Sequence, residues 1–370
     1  MCDVPVFPMR CPSPGGSVPY RRGPNKHGQD NASGTTALSS GRGTRRRGQC
    51  LGAVLIGLST AQAAPPPDPA GIITVRLEND STNPGSDRYY TGGWQLGYTS
   101  PTGAVPGFLA SMGEAVWGPG QQRFAIDLSQ LLFTPSFTGV ANPPQNDRPY
   151  AATLMAGVSL IHDTDHTRST LGLGLGVIGP AALGSEVQNG FHRATGQEEL
   201  RGWDTQIPNQ PVIQLAVQRI WRAEMGNIGG LEVDVLPSLT AGAGTYRIYG
   251  EAGAEIRIGQ GLKADFGAPR IRPGLTGTDA FTVPADGFAW YVFLGGDGQA
   301  VAWDETLDGL PFATSRHVSR EPVVGELRGG VAFLFGRMRL AASHVIQTRE
   351  FRGQRGGLFQ FSSVSLGTGF

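Results

Sequence analysis

The chain has 370 residues, of which 56 are glycine and 27 proline, and only 16% are charged, well below the roughly 25% of an ordinary soluble domain. Basic and acidic residues balance at 30 each, so the chain lacks the basic footprint of a nucleic-acid-binding protein. No apolar run reaches the roughly 18 residues of a helical membrane span.

In chain order, residues 1–44 are rich in Pro, Gly, Ser and Arg without periodicity, and read as a disordered or mis-annotated extension. Arg45-Arg46-Arg47, the apolar run Leu51 to Leu58 and Ala61-Gln62-Ala63 then supply the basic, apolar and cleavage parts of a secretory signal over 45–63. Cys50 precedes the apolar run, which argues against a lipoprotein anchor. All three cysteines (Cys2, Cys11, Cys50) fall before Ala64. The exported chain, 64–370, is therefore expected to use neither disulfides nor thiol chemistry. It keeps 22 basic and 28 acidic residues.

From Ala64 onward one pattern recurs, alternation with period two. Ile73, Val75 and Leu77 oppose Thr74, Arg76 and Glu78. Residues 171–177 read Leu-Gly-Leu-Gly-Leu-Gly-Val, Leu231, Val233 and Val235 oppose Glu232 and Asp234, and Ala254, Ile256 and Ile258 oppose Glu255 and Arg257. Such segments are strands with one apolar face. A soluble sandwich would bury that face, whereas an outer-membrane barrel turns it toward lipid. Segment lengths of ~9–15 residues are enough for tilted spans. Tyr89, Tyr90, Trp94, Tyr98, Trp221, Tyr246, Tyr249, Trp290, Tyr291 and Trp303 lie near segment ends, as aromatic girdles require. A last strand, 358–370, closes on Phe370, the ending typical of assembled outer-membrane barrels.

The predicted strands are 71–79, 91–100, 122–133, 150–162, 168–178, 211–222, 229–241, 245–258, 287–305, 318–335, 337–350 and 358–370. The expected fold is all-β, a twelve-stranded antiparallel up-and-down transmembrane β-barrel with a short helix in an extracellular loop. An even count returns both ends to the periplasmic side, so three unusual segments share the outer rim. They are Glu78-Asn79-Asp80 through Asp87-Arg88-Tyr89-Tyr90-Thr91-Gly92, Thr134-Pro135 through Asp147-Arg148-Pro149-Tyr150, and Gly179-Pro180 through Trp203. A helix over 185–195 would place Gln188 and His192 on one face at i, i+4. His162 and His166 fall on the periplasmic side by the same parity and read as non-catalytic, while His317 and His344 match no motif.

On these residues the chain resembles the outer-membrane lipid A 3′-O-deacylases. The ordered features are E-N-D followed by D-R-Y-Y-T-G-G, then D-R-P-Y-A, G-V-I-G-P and V-Q-N-x-x-H-R, with Trp203 eleven residues past His192. The resemblance implies a calcium-dependent esterase in the bacterial outer membrane that removes the 3′-linked acyloxyacyl chain from lipid A of lipopolysaccharide, and a monomer is expected. Carried over by position, it makes Asn79, Asp80, Thr91 and His192 catalytic, with Asp80 on Ca²⁺ and His192 as general base. Asn79 and Thr91 suit ligand, orienting or oxyanion-donor roles alike, and Gln188 is expected to bind substrate or to orient His192. Histidine changes charge nearest neutral pH, and Ca²⁺ prefers oxygen ligands.

Two positions depart from the family pattern. The basic residue expected after the Ser/Thr-Pro of the second rim segment is missing from Ser136–Ala141, and Leu200 stands where a Tyr is expected. Arg148 either substitutes as a phosphate-binding residue, or recognition of the substrate differs. A phospholipid esterase and a non-enzymatic structural or transport barrel remain as other readings. No G-x-S-x-G elbow occurs, which removes the commonest serine-esterase motif.

Overall fold

The alternating segments form strands in a computed structural model that describes residues 67–80 and 87–370. The expected extension and signal peptide lie outside the described residues. The strands are β1 (Ile72–Asn79), β2 (Tyr89–Thr99), β3 (Gln121–Thr134), β4 (Ala151–Asp163), β5 (Thr167–Ile178), β6 (Gln210–Trp221) and β7 (Ala223–Ile228). They continue as β8 (Leu231–Gly244), β9 (Arg247–Gln260), β10 (Phe288–Asp304), β11 (Val323–Phe335), β12 (Met338–Gln347) and β13 (Phe359–Gly369). All pairings are antiparallel between neighbours, and β1 pairs with β13 to close the sheet. Closure removes the free edges that an open sheet would expose.

Barrel strand six is built of β6 and β7 together. Both pair with β8, Ile220 opposite Ser238 and Ala223 opposite Val235, so one hairpin strand runs on past Arg222. The closed barrel therefore has twelve strands, as expected. The turn, however, lies at Gly229-Gly230 (φ 60° and 85°) rather than over 223–228, because these two glycines take the left-handed conformation that a tight hairpin needs.

Alternation sorts the two faces as the membrane version requires. Ile73, Val75 and Leu77 are exposed on the outside, while Thr74, Arg76 and Glu78 are buried within the lumen. The lumen is filled from below by residues 261–287, the β9–β10 connection. Asp265 accepts from Arg257 Nη1 (2.6 Å), Arg339 Nε (2.8 Å) and the Tyr291 hydroxyl (2.8 Å). Farther along, Asp279 pairs with Arg76 at 2.7 Å, and Ile271 N donates to Glu78 Oε1 at 2.8 Å near the outer end. Cavities of about 40 and 50 Å³ lie between this segment and the wall, each with room for only a few waters.

This filling corrects the girdle expectation. Tyr89, Tyr90, Tyr246, Tyr249 and Tyr291 are buried, since their hydroxyls and rings complete the internal polar packing. Trp94, Tyr98, Trp221, Trp290 and Trp303 keep partial exposure.

Two helices pack on the outside of the wall. Helix α1 (Gly107–Trp117), in the β2–β3 connection at the periplasmic end, covers outward-facing Gln122 and His162. The His162 ring lies 5.6 Å from that of Trp117, and its Nε2 is 2.9 Å from Gly118 O. Phe108, Met112 and Val116, at i, i+4 and i+8, form an exposed apolar stripe. Helix α2 (Gly184–Thr195) occupies the corresponding position at the outer end. The single-turn α3 (Glu305–Asp308) follows β10.

Candidate active site on the outer wall of the barrel

Asn79 ends β1 on the face of Ile73, Val75 and Leu77, so it points away from the lumen. Thr134 ends β3 on the face of exposed Ile126 and Leu128. Strict alternation with Gly93 and Gln95 would put Thr91 inside. A bulge between Tyr90 and Gly92 adds one residue and turns Thr91 outward. Its Oγ1 lies 2.6 Å from Thr134 Oγ1, while Tyr90 stays inside and donates to Glu78 Oε2 at 2.7 Å. Gly92 is required here, because an added Cβ would meet Glu78 O at 2.9 Å and Asn79 Nδ2 at 3.3 Å. Asn79 Nδ2 donates to Thr91 O at 3.3 Å.

Asp80 follows directly, just beyond the strand end. Its N–H donates to Thr91 O (3.2 Å), and its Oδ2 accepts from Arg88 N at 3.0 Å. The side chain is buried. Burial, reinforced by the charge of Asp87, pushes its carboxyl up to about 8, against the opposing hydrogen bond from Arg88. A buried carboxyl held up in this way beside a second acid marks a place where positive charge is favourable.

Helix α2 brings the histidine to these groups. Gly179-Pro180 starts a short turn, Leu183 takes φ 57°, and Gly184 seats the helix on the wall. A Cβ on Gly184 would meet Ala152 Cβ at 2.4 Å and the Trp203 ring at 2.8 Å. Leu132, Tyr150, Ala152, Ala182, Leu200 and Trp203 form the apolar seat beneath. Gln188 and His192 share the buried face, as their spacing predicts, and both reach Asp87. Gln188 Nε2 donates to Asp87 Oδ1 (3.4 Å), and His192 Nε2 is 3.3 Å from Asp87 Oδ2. His192 Nδ1 lies 2.5 Å from Glu198 O, an acceptor only, so this nitrogen carries the hydrogen and Nε2 is the working atom. Asn189 fixes that loop by bonding Leu200 N (2.9 Å) and Leu200 O (3.3 Å). On the face of α2 that flanks this buried one, Val187 and Phe191 are exposed, as is Leu183 just before the helix.

Asn79, Asp80, Thr91, Gln188 and His192 are thus gathered at one place. Asp87 and Thr134 join them, and neither was singled out from the sequence. Asp87 belongs to the D-R-Y-Y-T-G-G string, but only its loop contact with α2 reveals a role. Thr134 depends on the bulge opposite it. Arg148 is not part of the group. It is buried, donates to Glu350 Oε2 (2.5 Å) and Thr306 Oγ1 (2.7 Å), and lies 4.3 Å over the Phe133 ring. With both terminal nitrogens engaged inside the barrel and only Nε left without a hydrogen bond, it is not placed as a rim cation. Asp147 instead anchors its loop through Ser136 N at 2.9 Å.

Asp80, with Asn79 and backbone carbonyls at hand, offers oxygen donors suited to a hard cation. Among the described residues no group of three or more His, Cys, Asp or Glu side chains forms a closed metal cage. A cation here would have to draw on amide, carbonyl, water or substrate oxygens as well.

Residues 50–370 match the sequence family described as Outer membrane protein LpxR. Among solved structures, LpxR from Salmonella typhimurium is similar over 81% of this chain and 100% of its own length, at 24% identity and a TM-score of 0.65. The β domain of the Bordetella autotransporter BrkA covers 82% of this chain and 98% of its own, at 10% identity and a TM-score of 0.37. No curated protein sequence matches.

Proposed function

Since the chain belongs to the LpxR family of outer membrane proteins, we propose that it hydrolyses the 3′-O-linked acyloxyacyl ester of lipid A, with His192 as general base. One observation carries this reading. The polar group around His192 lies on the outer wall, under a helix whose flanking stripe (Leu183, Val187, Phe191) is apolar and exposed. Such a place admits a lipid acyl ester sideways from the outer leaflet, whereas a transport function would call for an open lumen.

The chemistry follows from the atoms present. His192 Nε2 takes a proton from water, and the resulting hydroxide adds to the ester carbonyl carbon. The carbonyl π electrons move to oxygen, and the oxyanion receives hydrogen bonds from the amide of Asn79 or the hydroxyl of Thr91. Collapse breaks the bond to the sugar 3′ oxygen, which leaves with the proton returned by His192, and the acyl chain departs as a carboxylic acid. Asp87 faces the imidazolium formed in the first step and favours it, while Gln188 keeps that carboxylate in place. The buried Oε1 of Gln188 has no hydrogen-bond partner among the described residues and is available to the attacking water. Asp80 and Asn79 would hold Ca²⁺, which supplies charge to polarise the ester carbonyl when bound.

Mass spectrometry of lipid A from a host expressing the protein tests the reading. Loss of a 3′ acyloxyacyl mass with the native chain and retention with His192→Ala are expected. Unchanged lipid A beside a correctly assembled native barrel would refute it, and release of fatty acid from glycerophospholipid instead would redirect it to a phospholipid esterase.

A further inference from the structure

The buried arginines of this barrel are matched to acids, as burial of a guanidinium demands. Arg76 pairs with Asp279 (2.7 Å), Arg148 with Glu350 (2.5 Å), and Arg257 with Asp234 and Asp265 (both 2.6 Å). Arg88 and Arg355, at the outer rim beside the His192 site, make no ion pair among the described residues. Arg88 is half-buried, its guanidinium carbon 5.7 Å from the Tyr89 ring centroid, and its Nε is buried without a hydrogen-bond partner. Arg355 is exposed and lies 4.5 Å over the Phe137 ring, above the 136–141 segment that has no charge of its own.

The fold holds the backbone of Arg355 and Gly356 beside Arg88. The Tyr89 hydroxyl donates to Arg355 O (3.0 Å) and accepts from Arg355 N (2.9 Å), which ties the β12–β13 loop to the start of β2. Tyr89 is itself at φ 65°, with its ring edge-on to Phe351 at 5.6 Å and Phe359 at 5.8 Å. Gly356 takes φ 82°, and a Cβ there would lie 3.2 Å from both terminal nitrogens of Arg88. The Arg88 guanidinium therefore rests on the backbone next to Arg355. Arg88 is also the residue after Asp87, and its N–H holds Asp80.

We propose that Arg88 and Arg355 form a cradle for a phosphate monoester of the glycolipid on which the His192 site acts. The proposal rests on the lipid A reading above. Two guanidinium forks without acidic partners match a phosphate bearing nearly two negative charges, each fork able to make paired hydrogen bonds. Anchoring the phosphate at the rim fixes the sugar, and so the ester, relative to His192.

The test compares lipid A carrying its phosphates with phosphatase-treated lipid A, both in mixed detergent micelles. KM and kcat are measured for the native chain, Arg88→Gln, Arg355→Gln and Arg355→Lys. Lys263→Gln, which removes an exposed charge at the periplasmic end, is the control. Micelle binding is measured in parallel in the His192→Ala background. On phosphorylated lipid A, each Gln variant is expected to raise KM about ten-fold with kcat retained, and to weaken micelle binding about ten-fold. Arg355→Lys should recover part of the loss, and Lys263→Gln should show none. On treated lipid A the native chain should itself bind about ten-fold more weakly, with no further loss in the variants. Titration with inorganic phosphate alone is expected to show no comparable affinity. Equal losses on both lipids, unchanged KM and binding in folded Arg355→Gln, or free phosphate bound as tightly as the lipid would each overturn the cradle. If the native chain releases no acyl chain from lipid A, the functional reading fails, while the binding comparison still decides the cradle.

Discussion

Asp87→Asn is the sharpest test of the His192 site, because it removes one charge and keeps the size and the amide partner of Gln188. The carboxylate oxygen lies 3.3 Å from His192 Nε2. A unit charge pair at that distance is worth about 5 kcal/mol at an effective dielectric of 20, and about 1.3 kcal/mol in bulk water. The Asp87 side chain is 28% exposed, so solvent screening pulls the value toward the lower end, about 1.5–3 kcal/mol. The imidazolium exists only after His192 has taken its proton, so this stabilisation acts mainly on the transition state. The expected result is a fall in kcat of about 10- to 150-fold with KM little changed. Initial rates of acyl release from lipid A micelles measure it, with heat-modifiable gel mobility confirming a folded barrel. Retention of kcat within about two-fold would refute the ion-pair reasoning. So would an equal further loss from Asp87→Asn in the His192→Ala background, where no partner remains.

Further expectations concern the seat of the helix, the cation, the rim and the outer wall. Gly184→Val places side-chain atoms where Ala152 and Trp203 already stand, so it should displace α2 and reduce kcat at least about ten-fold, while the barrel still migrates as folded. Chelation of divalent cations should abolish acyl release by the native chain and added Ca²⁺ should restore it, whereas Asp80→Ala should stay inactive at any Ca²⁺ concentration. Burial, aided by Asp304, pushes the Glu305 carboxyl up to about 8 from 4.5. Its folded-state value is the raised one, so its contribution to stability is fully present below about pH 4.5 and is lost as pH rises through about 8. Between pH 4 and pH 9 the native barrel should therefore lose more stability than Glu305→Gln, by a few kcal/mol at most after solvent screening, as thermal melts at the two pH values would measure. A spin label on Met112→Cys should be reached by oxygen more readily than by a water-soluble relaxant in phospholipid vesicles, and the reverse ranking would show that the α1 stripe faces water.

Period-two alternation determined the twelve strands and which face meets lipid, because side chains on a strand have only two directions. The i, i+4 spacing of Gln188 and His192 likewise sufficed to put both on one face of α2. Motif order located Asn79, Asp80, Thr91 and His192. Tertiary structure alone decided what these residues do together. The bulge at Thr91 breaks the strand period, and the period is all that a sequence pattern can display. Whether the site faces lumen or lipid turned on that one residue and on where α2 settles. The 261–287 segment has no periodicity to announce that it fills the barrel, and its charges make sense only beside Arg76, Arg257 and Arg339. Arg148 and Arg355 show the same division from the other side. Both are rim arginines in sequence, but Arg148 closes an internal ion pair with Glu350, 202 positions away, while Arg355 is held by Tyr89, 266 positions away, and makes no ion pair among the described residues. Pairing at such separations is set by strand register and loop closure, so a charge's availability is a property of the folded barrel rather than of the residue.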